Sequence, residues 1–231
     1  MVGGALTERM AANSLAKRLM TAVFMPAASD EQAVAFLERV AAYPPIARVF
    51  VDQARIGMAR RILEPAGISV GTAASYPVGN QCTEAQAFAV RCAISAGAKE
   101  IDVGLNYTAI KSGSYSMLET EVRQLLDASG DVIRLVPIPE VAILTRPELR
   151  RVLDILLACG VRTVKTSSGY GWNTSRSQVA WMAGEYGADL EIDVSGGVRT
   201  YGEVNGMIEA GANFIHTSKV FEILDYAKEA P

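Results

Sequence analysis

The chain has 231 residues, half of them hydrophobic and a fifth charged, and its 22 basic and 25 acidic side chains leave a net charge of −3. That length supports a sizeable core, and the composition is globular rather than disordered or fibrous. The near-neutral balance argues against nucleic acid or an acidic membrane as the main partner and points to a small ligand.

Cys82, Cys92 and Cys159 form no CxxC pair, and His216 is the single histidine. A disulfide framework and a metal centre are therefore not expected, and a reducing cytoplasm fits best. The opening stretch carries Glu8 and Arg9 and is not expected to be a signal peptide. No apolar run reaches the roughly 18–20 residues a membrane helix needs, so no membrane association is expected.

An N-terminal helix is expected over residues 1–17. Eight β-rich runs then follow near 18–24, 47–51, 67–75, 100–105, 132–138, 161–167, 190–195 and 213–217. Helical patterns lie between them. The segment 30–43 has Ser29 and Asp30 as capping candidates, and 83–97 has Thr83 as N-cap and Gly97 as its stop. The segment 114–130 ends on Gly130, and 146–160 carries Pro147 in its first turn and ends on Gly160. Strand starts recur at the spacing of one βα unit. Eight units read as a (β/α)₈ TIM barrel, a single domain over 1–231. An open doubly wound sheet is the alternative, and no GxGxxG follows an early strand to support it.

A weak repeat sharpens this reading. AGAKEIDVG, CGVRTVKTS, YGADLEIDVS and AGANFIHTS each run from a glycine into a strand, and each places one polar residue there: Asp102, Lys165, Asp193 and His216. Strand alternation sets these four opposite the apolar phase. In a parallel barrel the helix-facing side must stay apolar, so the four face the lumen near the C-terminal strand ends, where this fold carries its active sites.

Lys165 is one of six lysines and lies inside a strand. Burial there would lower its pKa and free the amine to attack a carbonyl. The bland alternative is a structural ion pair with Asp193 or Asp102. Those two carboxylates suit proton transfer beside an imine, or else belong to a core ion network with Lys165 and Arg134. SGGVRT (195–200) follows the seventh strand and HTSK (216–219) the eighth. Gly196 and Gly197 expose backbone amides, Ser195 and Ser218 add hydroxyls, with Thr217 and Lys219 as further phosphate-binding candidates, and a helix start follows each segment, which is how this fold often holds a phosphate. Ser168, Tyr170, Arg134 and His216 are candidates for a substrate wall, with Trp172 beside Tyr170. Loop packing and a hydrogen-bonded lumen histidine are the ordinary alternatives.

From about residue 47 to 225 the chain resembles the deoxyribose-phosphate aldolase family, through YPVGNQCTEAQAFAVRCAISAGAKEID, NYTAIKSGSY, VKTSSGYG, DVSGGVRT and the strand-eight HTS, in that order. The resemblance implies a (β/α)₈ class I aldolase without metal or other cofactor. Such an enzyme cleaves 2-deoxyribose 5-phosphate to glyceraldehyde 3-phosphate and acetaldehyde. It implies Lys165 as the Schiff-base lysine, Asp102 as the proton-relay aspartate, and Gly196, Gly197 and Ser218 on the phosphate site. The partner is then a sugar phosphate or aldehyde, and the assembly a homo-oligomer, dimer or tetramer. The alternatives are a Schiff-base lyase acting on another phosphorylated or carboxylated carbonyl compound and a non-catalytic sugar-phosphate binder.

The departures from the family concern charge. Asp193 stands where the family has a second active-site lysine, and Arg134 where it usually has a lysine. Met20 replaces an aspartate, Phe50 a cysteine, His216 a small residue and Lys219 a serine. Asp193 is expected to pair with Lys165 and hold it as an ammonium ion, opposing attack unless Arg134 or Lys219 neutralises it.

Overall fold

A computed structural model describes residues 12–24 and 27–229. The helix expected over 1–17 falls mostly on residues outside that range, and 12–16 are helical. All eight strands form, shorter at their ends than the sequence pattern: β1 Leu19–Val23, β2 Arg48–Val51, β3 Ser69–Ala74, β4 Glu100–Gly104, β5 Arg134–Ile138, β6 Thr163–Lys165, β7 Glu191–Val194 and β8 Phe214–His216. The helices are α1 Asp30–Ala41, α2 Ile56–Leu63, α3 Thr83–Ala96, α4 Tyr107–Lys111, α5 Tyr115–Ser129, α6 Arg146–Ala158, α7 Arg176–Tyr186, α8 Tyr201–Glu209 and α9 Val220–Glu229.

The strands make one sheet in the order β5-β4-β3-β2-β1-β8-β7-β6. Every pairing in it is parallel, and β1 bridges β2 and β8, so the sheet curls through its middle. The seam between β5 and β6 is held by side-chain and loop bonds. Arg134 donates to Thr163 Oγ1, and the Val141 amide donates to the Thr166 carbonyl at 2.8 Å. The result is a nearly closed TIM barrel, not an open doubly wound sheet.

Alternation explains the closure. Val49, Val51, Ile101, Val103, Val164, Ile192, Val194 and Ile215 are fully buried and point to the helix layer. The opposite phase fills the lumen. In the middle layer Asp102 is level with Val136, Lys165 with Asp193, and Met20 with His216. One layer lower, Arg48 pairs with Glu100 at 2.9 Å, Arg134 pairs with Glu191, and Arg48 covers the Phe214 ring at 4.6 Å. This ionic plug closes the N-terminal end.

The helix signals are local. Ser29 with Gln32 and Thr145 with Glu148 make reciprocal capping boxes at the starts of α1 and α6. Pro147 lies in the first turn of α6. One expectation fails: Thr83 is the first helical residue of α3, and Cys82 is the N-cap without a side-chain bond.

Gly71 on β3 lets the lumen fill. A Cβ there would lie 2.6 Å from Phe50 Cε1, and Phe50 is fully buried. Gly71→Ala should therefore cost about 1–3 kcal/mol by overpacking. Adding Phe50→Leu should recover most of the loss, as a double-mutant cycle in urea would show. Simple additivity would mean the ring is not what fills the space.

Candidate active site

Lys165 ends β6 and is 1% exposed. Its Nζ donates to Asp102 Oδ2 at 2.8 Å and meets His216 Nδ1 at 3.0 Å. The rings of Phe50 and Tyr76 lie 5.2 and 5.9 Å from Nζ. Burial alone would pull the ammonium down, but the Asp102 carboxylate, with smaller contributions from Asp193 and Tyr76, outweighs it and holds Lys165 above its ordinary value. The expectation of a lysine freed by desolvation is thus corrected: at rest Lys165 is a charged, clamped ammonium. His216 is driven the other way. Burial and then the Lys165 and Arg48 cations hold its imidazole well below the ordinary value, so a neutral Nδ1 accepts from Lys165.

The expected Asp193–Lys165 ion pair is not formed. The two residues are register neighbours, yet the salt bridge of Lys165 goes to Asp102, and neither oxygen of Asp193 has a hydrogen-bond partner. The reason is reach across the lumen: β4 presents Asp102 directly at Nζ. Burial pushes the Asp193 carboxyl well above the carboxylate range, more than the Lys165 charge offsets.

A cavity of about 370 Å³ opens at the C-terminal strand ends, and Lys165 and His216 reach it with Phe24, Tyr76, Ser168 and Tyr170 around them. Asp102 and Asp193 face the same lumen but do not line the cavity, and they are 0% and 1% exposed. A larger hollow of about 480 Å³ lies at the other end, lined by Arg134, Thr163 and Glu191. It holds no reactive group and contacts none of the residues around Lys165.

Gly196, Gly197, Thr217 and Ser218 also line the cavity at the C-terminal strand ends. Gly196 and Gly197 adopt φ of +88° and +86°, and a Cβ would lie 2.5 Å from the Trp172 carbonyl or 2.8 Å from Asn173 Cγ. Only glycine fits there without strain. Thr174 and Thr166 hold the preceding Ser195 at 2.7 and 3.1 Å, which ties the turn to β6. Thr217 spends its hydroxyl internally: it donates to the Val198 carbonyl at 2.8 Å and accepts from the Lys219 amide at 3.0 Å. Ser218 is exposed at the rim.

Other expectations change. Arg134 cannot wall this cavity, because it opens β5 at the opposite end, bound to Glu191 and Thr163. For the same reason it does not neutralise Asp193 by direct contact. Lys219 points outward and pairs with Glu222 at 2.9 Å. Trp172 is outside the cavity lining, and its carbonyl accepts from Ser167 Oγ at 3.0 Å.

Three contributors were not singled out from the sequence. Tyr76 donates to the Ser168 carbonyl and stacks edge-on against Tyr170 at 5.4 Å, with its phenol pushed up to about 12 chiefly by burial. Glu140 is fully buried and accepts from the Ser168 amide at 2.9 Å, fixing the loop after Lys165. Its signal was a lone acid within the apolar run LVPIPEVAIL. Arg199 lines the cavity beside the glycine turn.

Among the described residues, Glu100, Asp102 and Asp193 are the set that could ligate a metal, with one oxygen from each within 4.8 Å of the others. Protein cations already serve two of them: Arg48 sits on Glu100 and Lys165 on Asp102.

No protein-family model matches the chain. Individual relatives do. The deoxyribose-phosphate aldolase of Macrococcus caseolyticus is 36% identical over 177 residues, covering 76% of this chain and 80% of the relative. That of Streptococcus suis is 31% identical over 207 residues, covering 89% and 93%. The chain belongs to the deoxyribose-phosphate aldolase family. It is an aldolase, a lyase. The Aeropyrum pernix deoxyribose phosphate aldolase structure superposes with a TM-score of 0.85 at 20% identity, covering 98% of this chain and 96% of the other, and so shares the fold.

The clamp makes a stability prediction. Asp102→Ala should cost about 3–5 kcal/mol, because it removes the partner of a buried cation. Lys165→Met with Asp102→Leu should recover most of it. Chemical denaturation of the two single variants and the double variant decides: losses that simply add would show that the pair is not coupled.

Proposed function

We propose that this aldolase cleaves 2-deoxyribose 5-phosphate, or a close phosphorylated relative, to glyceraldehyde 3-phosphate and acetaldehyde through a Schiff base on Lys165. The observation that carries the reading is the placement of Lys165. It is a buried lysine that lines a cavity at the C-terminal barrel end, and its Nζ is flanked by two hydrogen-bond acceptors. Support for the substrate class comes from the sequence relatives and from the glycine turn on the same cavity.

The phosphate is held by the backbone at Gly196 and Gly197 and by Ser218, with Arg199 supplying charge. Lys165 first gives up a proton to become an amine, and the amine adds to the substrate carbonyl carbon. The two remaining ammonium protons are not both retained: one stays on nitrogen in the iminium ion, and the other leaves, with the first, in the departing water. The iminium then accepts the electron pair of the breaking C–C bond as the substrate hydroxyl loses its proton. Asp102, the carboxylate nearest Nζ, is the relay for that proton, directly or through water. The enamine takes a proton at carbon, and hydrolysis releases acetaldehyde and restores Lys165.

The reading includes a homo-oligomer. The Aeropyrum pernix relative is described as tetrameric. Here Phe88 on α3 and Met117 on α5 are 64% and 58% exposed. Among the described residues no helix is long and apolar enough to cross a membrane.

Borohydride reduction in the presence of acetaldehyde should attach a two-carbon adduct to Lys165, located by peptide mass spectrometry. Lys165→Ala should abolish it. An adduct elsewhere, or none, would remove the Schiff-base reading. Separately, Ser218→Glu places a carboxylate at the rim and should weaken inhibition by inorganic phosphate about tenfold or more while leaving the melting curve unchanged. Unaltered phosphate inhibition would place the anion elsewhere.

A further inference from the structure

We propose that Asp193 carries a proton and donates it as a hydrogen bond to Asp102, loosening the hold of Asp102 on Lys165. The carboxyl group that stands where the family has its second lysine would then assist the formation of a free amine instead of opposing it. This rests on Lys165 being the Schiff-base lysine, and it makes Asp193 a positioning residue that acts through Asp102.

The geometry begins with a count of buried charges. Oxygens of Glu100, Asp102 and Asp193 lie within 4.8 Å of one another, and the three residues are between 0% and 2% exposed. Three cations face them. Arg48 from β2 lies 2.9 Å from Glu100, Arg134 from β5 lies 3.5 Å from Glu100, and Lys165 from β6 lies 2.8 Å from Asp102. His216 from β8 is engaged with Lys165 and is neutral. None of these groups bonds Asp193, whose two oxygens lack donors, and Asp102 Oδ1 lacks one as well.

Glu100 therefore has two cations and Asp102 one, and Asp193 has none. An ionised carboxylate without a donor in a dry interior costs several kcal/mol. Taking up a proton removes that cost. Like charges crowded at one site cannot all ionise, and the proton goes to the member with the weakest stabilisation, which is Asp193. Burial drives all three carboxyls upward, and that of Asp193 well above its ordinary value. A carboxylic acid in turn needs an acceptor, and Asp102 Oδ1 is an unsatisfied acceptor in the same cluster. An O–H donated to Asp102 draws negative charge away from the oxygen that faces Lys165.

The expected sign is the reverse of that for a plain neighbouring charge. If Asp193 were ionised, removing it would lower the pKa of Lys165. If it is a proton donor to Asp102, removing it leaves Asp102 more negative and raises that pKa. The experiment follows trapping of Lys165 by acetaldehyde and cyanoborohydride against pH in the parent, Asp193→Ala and Asp193→Asn, with infrared difference spectra of the parent against Asp193→Asn. Alanine should move the midpoint of the profile upward by about one pH unit, roughly a tenfold slower trapping near neutral pH. Asparagine is isosteric and keeps an N–H donor, so it should recover at least half of that shift. The parent should show a protonated carboxylic acid carbonyl band that the asparagine variant lacks. A midpoint that falls in both variants, or the absence of that band, overturns the proposal. Should the parent trap nothing at Lys165 at any pH, the Schiff-base reading falls, while the infrared band still decides whether Asp193 holds the proton.

Discussion

A charged lysine inside a barrel survives only if the interior is built around it, and the Lys165–Asp102 pair is that constraint here. Both groups are removed from water, so their attraction must repay the desolvation of each. The separation of 2.8 Å supplies the attraction, and His216 at 3.0 Å accepts a second hydrogen bond from the ammonium. The rings of Phe50 and Tyr76 present π faces to the remaining side. The lower layer of Arg48, Glu100 and Arg134 extends the same logic downward, with every charge near a partner.

This constraint divides the barrel into two ends. At the N-terminal end the ionic layer, with Phe214 against Arg48, fills the lumen and leaves nothing to react. At the other end the strands stop while the ionisable residues still face inward, and loops build the cavity above them. Those loops are held from below. Glu140 fixes the Ser168 amide, Thr166 and Thr174 fix Ser195, and Tyr76 fixes the Ser168 carbonyl. The lysine and the glycine turn are thereby held against one rigid frame, which preorganised chemistry requires.

The barrel was legible because its signals are periodic. Alternation on β4, β7 and β8 separated Ile101, Ile192 and Ile215 from Asp102, Asp193 and His216, and helix stops at Gly97, Gly130 and Gly160 spaced the units. The phase of a strand tells which way a side chain points. It does not tell how far along the barrel axis the residue lies. Arg134 shared the inward phase but entered at the first residue of β5, two residues below the layer of Lys165. Nor does phase choose among partners across a lumen. Asp193 and Asp102 both face Lys165, and the shear of the barrel, invisible in the sequence, brought Asp102 to the ammonium. Tyr76 and Glu140 lie in loops without periodicity, where only the three-dimensional path reveals their contacts.

An aspartate at position 193, where the resemblance implies a lysine, looks like an inversion of charge, but in this lumen the relevant quantity is the charge carried when the group is buried. A lysine there would add a cation beside Lys165. A carboxyl group without a donor cannot afford its ionised form and becomes neutral. The actual difference between the two is then one unit of charge, not two. The imidazole of His216 is neutral, and the ring of Phe50 packs 5.0 Å from it. Asp102 is the carboxyl group that pairs with Lys165 in its layer, although burial pushes it upward as well. A catalytic lysine needs its counterion weak enough to release it, and such weakening can come from a neighbouring cation or from a hydrogen bond donated to the counterion itself. The first route competes with Lys165 for the lumen as a second charge. The second keeps the layer near neutrality beside the aromatic rings that flank Lys165.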